Sequence, residues 1–266
     1  MTDTWLLFGG PYSNLHATRA LLDEAARLGI PPARIVCTGD IAAYCAHPAA
    51  TLDLIMQSGV AVLRGNCEDS LAAGAGDCGC GFADGTACDL LSRGWFAHAT
   101  RQVTPAQRQW MGALPERITL AVGGRRLAVM HGGAADVSRF LFPSAPDAVL
   151  AGEIAAAGCD GVVAGHCGMP FTRLVDGRLW HNPGAIGMPA DDGTPRAWFS
   201  LLEPGRVRHR ALHYDWQAAA DAMRAAGLAA GYADALGTGL WPSDDVLPPA
   251  ERARRGRAIM EAEHAW

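Results

Sequence analysis

The chain has 266 residues, of which 50% are hydrophobic and 18% charged, enough to bury a sizeable core in one large domain or a domain with an appendage. Its 22 basic and 27 acidic residues give a formal charge of −5, and its basic pairs Arg125-Arg126 and Arg254-Arg255 are isolated, which argues against a surface that coats nucleic acid. The opening MTDTWLLFGG has too short an apolar run, with no basic region before it, for a secretory signal or a membrane span, so a cytoplasmic protein is expected.

Trp5–Phe8 reads as a strand that ends in the turn Gly9-Gly10-Pro11. Ser13 or Asn14 can cap a helix whose apolar face runs from Leu15 to Leu28 and which Gly29 stops. Arg34–Cys37 is a second strand closed by Gly39-Asp40, Ala49–Gln57 a second helix, and Val60–Leu63 a third strand closed by Gly65-Asn66. This β-α-β-α-β order predicts a parallel sheet with right-handed crossovers. Residues 68–92, rich in Gly, Ala, Asp and Cys, lack periodicity and read as an inserted loop. Trp95–Ala113 looks helical with a break at Thr104-Pro105, where Thr104 can cap and Pro105 can open the next helix.

Further on, Gly123-Gly124, Asp176-Gly177 and Pro204-Gly205 each divide two apolar runs, as hairpin turns do. A helix near Ala145–Ala157 and a strand at Gly161–Ala164 separate the first hairpin from the second. Parallel crossovers early and hairpins late predict an α/β fold: a four-layer α/β/β/α sandwich of two mixed sheets flanked by helices. Residues 1–215 would form this domain, and 216–266 a C-terminal helical arm that packs on the domain or on a second subunit, which makes a homo-oligomer a candidate assembly.

Metal-capable residues follow the strands in a consistent way. Asp40 follows the second strand, Asn66 the third, His131 ends Leu127–Met130, and His166 follows Gly161–Ala164. The carboxyl ends of strands in an open α/β sheet converge on one crevice, so these four side chains can share a site. Gly39-Asp40, Gly65-Asn66, His131-Gly132, Gly165-His166 and Asn182-Pro183-Gly184 stand in the order and approximate spacing of calcineurin-like metallophosphoesterases. Together with Tyr214-Asp215 they resemble the bacterial phosphodiesterase branch of that family, over roughly residues 5 to 230.

The resemblance implies a two-metal site, from which this sequence departs selectively. Anchored on Asn14-Leu15-His16, the first metal's Asp-x-His positions become Gly10 and Tyr12, and its third ligand becomes Gly168. The second metal's ligands Asp40, Asn66, His131 and His166 all remain. One carboxylate, one amide oxygen and two imidazoles suit a single Zn²⁺, Mn²⁺, Fe²⁺ or Ni²⁺. Asp40, Asn66, His131 and Cys67, the last standing where the family has a catalytic histidine, are the implied catalytic set. Tyr12, His16, Arg64 and Cys167, with Arg173, are candidates to contact a substrate.

The implied activity is hydrolysis of a small phosphoester or nucleotide. A degenerate member that binds a metal, ligand or partner without turnover is the alternative. A third reading concerns the eight cysteines. A disulfide framework is not expected in a reducing compartment, and Cys37 and Cys159 suit simple packing. Cys78, Cys80 and Cys88 could hold an additional zinc or act in redox chemistry, and His181 could substitute for a missing ligand.

Overall fold

The computed structural model describes residues 3–266. The chain opens with β1 (Trp5–Phe8), α1 (Leu15–Arg27), β2 (Ile35–Cys37), α2 (Pro48–Ser58) and β3 (Ala61–Val62). Asn14 caps α1, its side chain accepting from the Ala17 N–H, as its short polar side chain suggests. Then come α3 (Asn66–Ala73), α4 (Ala87–Gln102) and α5 (Pro105–Gly112), the last opened by Thr104 in a reciprocal capping box with Gln107. The second half holds β4 (Arg117–Val122), β5 (Arg125–Met130), α6 (Asp147–Ala157), β6 (Gly161–Ala164), β7 (Pro170–Val175), β8 (Arg178–Pro183), β9 (Ala197–Glu203) and β10 (Arg206–Leu212). It closes with α7 (Trp216–Ala225), α8 (Ala230–Thr238), α9 (Pro249–Arg252) and β11 (Ala262–Ala265).

The strands form a six-stranded sheet, β11-β10-β9-β1-β2-β3, and a five-stranded sheet, β4-β5-β6-β8-β7. Both are mixed: β1, β2 and β3 are parallel, as are β5, β6 and β8, while the hairpin partners run antiparallel. Side-chain alternation shows how the layers stack. Leu6 and Phe8 of β1 join a core under α1, α2, α7 and α8, while Leu7 between them joins a second core. Leu127 and Val129 of β5 meet Leu7 in that second core, and Ala128 and Met130 face a third core with Leu150 and Ile154 of α6. Three cores separating helix, sheet, sheet and helix are the four layers the sequence predicted.

Two segments differ in detail. Residues 68–92 are not one loop: α3 already begins at Asn66 and α4 at Ala87, leaving only 74–86 irregular. The difference lies in helix starts. Glu68 returns to the Gly65 N–H at 2.9 Å, and Thr86 accepts from the Asp89 N–H. The C-terminal arm carries three helices and also ends in β11, which pairs antiparallel with β10. Met223 of α7 and Leu236 of α8 are buried in the core of the chain's own first layer. Among the described residues, no helix is long and apolar enough to cross a membrane.

Candidate metal centre

Each turn that carries a candidate ligand leaves the C-terminal end of a strand. β2 runs into Thr38-Gly39-Asp40, β3 into Gly65-Asn66, β5 into His131 and β6 into Gly165-His166. Asp40 and His166 both take left-handed backbone conformations, with φ of 59° and 61°, as does Tyr12 at 49°. Such angles are uncommon outside glycine and gather where surrounding contacts over-determine the chain. Gly65 is required by close approach: a Cβ there would lie 2.4 Å from Asp40 Oδ1 and 2.9 Å from His131 Cε1.

The side chains converge. His131 Nδ1 is 2.6 Å from the Thr38 carbonyl oxygen, so Nδ1 carries the proton and donates, and the Nε2 lone pair faces inward. Nε2 lies 3.2 Å from Asp40 Oδ2, 3.1 Å from Asn66 Oδ1 and 3.1 Å from His166 Nδ1. His166 Nδ1 is 4.0 Å from Asp40 Oδ2. The orientation of Asn66 is fixed from behind, where its Nδ2 donates to the Cys78 carbonyl at 2.9 Å. Asp40 Oδ1 accepts from the Cys67 N–H at 3.2 Å.

Four lone-pair atoms thus face one another in a buried space, and one shared proton satisfies few of them. A cation satisfies all four. Ligands about 2.0–2.2 Å from a tetrahedral ion lie about 3.4 Å apart, in the range of these spacings. Asp40, His131 and His166 form the one cluster among the described residues whose His, Cys or carboxylate atoms could jointly hold a metal ion.

The electrostatics agree. Burial opposes ionisation of Asp40, but the charge and hydrogen bond of His131 overrule it and hold the carboxyl at about 2. Burial likewise opposes protonation of His131, yet Asp40 raises its pKa above the ordinary imidazole value. Burial and then His131 push His166 down to about 3, so it is neutral and ready to ligate. An ion must displace the proton that Asp40 stabilises on His131. Zn²⁺ titrations across about pH 5 to 8 should show affinity falling as pH drops through that raised pKa, earlier than an unperturbed imidazole dictates. In the ion-free protein the sign is opposite: the raised pKa stabilises the fold at low pH, and this contribution is lost as pH rises through it.

The sequence reading missed Glu68. This fully buried carboxylate accepts from the N–H groups of Asp40 at 2.7 Å, Ile41 at 2.7 Å and Gly65 at 2.9 Å. Burial and the Asp40 charge raise its pKa, and the backbone donors draw it back. It ties the Asp40 turn to the Asn66 turn. Asn182 plays the same part for His166: its Nδ2 donates to the Gly165 carbonyl at 2.7 Å, and its Oδ1 accepts from the Gly184 N–H.

Comparison with known proteins agrees with this arrangement. The calcineurin-like phosphoesterase superfamily domain matches residues 10–203, most of the chain. The chain belongs to that superfamily. A metallophosphoesterase from Sphaerobacter thermophilus is similar in structure, with 22% identity, a TM-score of 0.71, and coverage of 90% of this chain and 100% of that one. So is a hypothetical protein from Pyrococcus horikoshii, with 17% identity, a TM-score of 0.75, and coverage of 90% and 99%. At these identities the likeness is one of fold. No curated protein sequence matches.

In this calcineurin-like chain Gly10, Tyr12 and Gly168, which the sequence alignment on Asn14-Leu15-His16 and Gly165-His166 sets against a first metal's ligands, also come together. The Tyr12 ring folds back over Gly10, where a Cβ would lie 2.2 Å from Tyr12 Cζ, and a Cβ on Gly168 would meet Tyr12 Oη at 3.7 Å. Tyr12 therefore stands in the space between the two. Beyond it a cleft opens, lined by Tyr12, His166, Cys167 and Gly168 at its inner end.

Other candidates lie elsewhere or are already engaged. Arg64 borders a groove that reaches His131, but it is held by Asp69 at 2.6 Å, by Glu116 and by the Gly112 carbonyl. Arg173 is committed to Asp147 and to the Pro143 and Ala145 carbonyls. His16 packs against His47, with ring centroids 5.8 Å apart, and does not line the cleft. Cys167 does line it, its sulfur accepting from Asn182 Nδ2 at 3.2 Å. Cys67 is buried, and desolvation followed by the Asp40 charge raises its thiol far above the usual range.

The loop-zinc expectation differs from the structure. Cys78 and Cys80 are joined as a disulfide, which consumes the thiolates a loop zinc would need, and Cys88 stands apart beside Ser243. The bridged loop instead forms the wall behind Asn66. His181 does not reach the metal cluster: its Nδ1 pairs with Thr172 Oγ1 at 2.9 Å and its Nε2 with Ser200 Oγ at 2.6 Å. His209 Nε2 shares Thr172 Oγ1 at 2.8 Å. Burial lowers the pKa of both rings, that of His209 to about 3. They are neutral in the fold and charge on unfolding, so stability should fall as pH drops below the ordinary imidazole value. Acid denaturation followed by circular dichroism should show a smaller loss for His209→Asn than for the parent protein.

Proposed function

We propose that the chain is a single-metal phosphoesterase that hydrolyses a small phosphoester or nucleotide. The observation that carries this reading is the convergence of Asp40 Oδ2, Asn66 Oδ1, His131 Nε2 and His166 Nδ1 in a buried space that a cation would satisfy. These residues would hold one divalent transition ion, which supplies Lewis acidity to water and to a phosphoryl oxygen.

The protein's own groups supply the rest. Thr38 fixes the His131 tautomer, and Glu68 and Asn182 fix the turns of Asp40 and His166. Burial, followed by the Asp40 charge, keeps the Tyr12 phenol protonated far above its usual range, so it is a permanent donor beside the vacated first-metal position. In that position it can donate to a phosphoryl oxygen and replace part of what a second ion does elsewhere in the family. Cys67 also keeps its proton and is a poor base.

Elemental analysis of protein purified without a metal-affinity tag should find one equivalent per chain. Hydrolysis of bis(p-nitrophenyl) phosphate should be lost in both Asp40→Ala and His166→Ala, and activity surviving both changes would sink the proposal. Tyr12→Phe should keep the metal and lower kcat by about 100-fold, the scale of one lost oxyanion donor.

A non-catalytic member is the second reading. It is favoured by the loss of ligands at Gly10, Tyr12 and Gly168 and by a cleft that no Lys or Arg lines. Absence of hydrolysis with every divalent ion, together with thermal stabilisation by a nucleotide, would select it.

A further inference from the structure

The cleft beside the metal cluster has a chemistry of its own. It begins where the first-metal positions stand, at Tyr12 and Gly168, touches His166, and extends between Phe82, Phe140, Tyr232 and Trp241. No Lys, Arg, Asp or Glu lines it. Its walls are held in place. Trp241 Nε1 donates to the Pro189 carbonyl at 2.7 Å, and Tyr44 packs against Tyr12 with centroids 4.9 Å apart and against Tyr232 at 5.0 Å. Phe140 lies on the His166 ring with centroids 4.2 Å apart and is nearly parallel to Phe82 and Phe142.

Resting on the phosphoesterase reading above, we infer that this cleft binds an apolar, planar group, such as an aryl ring, carried on a monoanionic phosphodiester whose phosphate sits at the Asp40–His131–His166 cluster. Three observations converge on that ligand. The cleft and the cluster share His166, which lines the one and belongs to the other, so a group in the cleft lies next to a phosphate held at the cluster. Its walls are aromatic, which rewards burial of a flat apolar surface and offers few partners to a sugar or a polar base. It lacks any cationic side chain, and Arg64 and Arg173 are committed elsewhere, so a dianionic monoester finds no second positive charge. The cleft that opens beyond Tyr12 thus serves as a pocket for the ester's organic group.

The test separates binding from turnover. Mn²⁺-loaded protein is titrated calorimetrically with diphenylphosphinate and with dimethylphosphinate, which carry the same charge and cannot be hydrolysed. Diphenylphosphinate should bind about 10- to 100-fold more tightly, the scale of burying an aromatic side chain. Phe82→Ala, which removes one wall, and Val246→Trp, which fills the cleft, should each reduce that ratio at least about threefold and leave dimethylphosphinate binding unchanged. Equal affinity for the two ligands in the parent protein, or a preference that persists in both variants, overturns the inference. Aryl-selective binding without hydrolysis of bis(p-nitrophenyl) phosphate upholds the cleft and removes the phosphoesterase reading. Hydrolysis without aryl selectivity does the reverse.

Discussion

Asp40→Asn is expected to empty the metal centre while leaving the fold intact. Asp40 sits at φ 59°, a conformation that asparagine tolerates and alanine resists, so this change removes the charge with little backbone cost. The lost charge is the one anionic ligand of the cluster, and it also sets the pKa of His131. Metal affinity and hydrolysis should each fall by at least about 100-fold, more than the loss usual for an outer-shell partner. Elemental analysis and turnover of bis(p-nitrophenyl) phosphate measure the two effects. The ion-free variant should unfold earlier than the ion-free parent at neutral pH, because His131 loses the carboxylate whose charge and hydrogen bond favour the folded state. Retention of one equivalent of metal at full activity would remove Asp40 from the centre.

Glu68→Ala should be the most destabilising change near the site. The buried Glu68 carboxylate accepts from three backbone N–H groups, of Asp40, Ile41 and Gly65. Each buried donor left unpaired costs about 1–3 kcal/mol, so the total is at least about 3 kcal/mol in a domain whose whole stability is about 5–15 kcal/mol. Denaturant unfolding should show this loss. Glu68→Gln, which keeps an acceptor oxygen, should recover part of it. The Asp40 and Asn66 turns meet through this residue, so metal affinity should fall in both variants even where they remain folded. An alanine variant as stable as the parent would show that the three N–H groups find other partners.

The parts of the site that could be read in sequence were the local ones. Gly39-Asp40, Gly65-Asn66 and Gly165-His166 are turns that follow apolar runs, and their chemistry is written in neighbouring residues. The spacing Gly65-x-x-Glu68 was also a legible helix-start signal, and it would have run α3 from Asn66 into the segment read as a loop and drawn attention to Glu68. Its contacts with Asp40 and Ile41 were not legible, since they span 28 and 27 positions. Arg64 and Arg173 looked free because, Asp69 apart, their partners Gly112, Glu116, Pro143 and Asp147 lie 26 to 52 positions away. The partners of His181, Thr172 in β7 and Ser200 in β9, lie 9 and 19 positions away on neighbouring strands.

The sequence by itself determined the two-sheet class and, α3 and β11 apart, the strand and helix order, because period and turn residues are properties of short segments. Only the tertiary structure decided that Asp40, Asn66, His131 and His166 share one buried space, that Tyr12 fills the gap beside them, and that an aromatic cleft opens from that gap. Those facts depend on which side chains from remote segments meet at the sheet edges, and packing sets that rather than local preference.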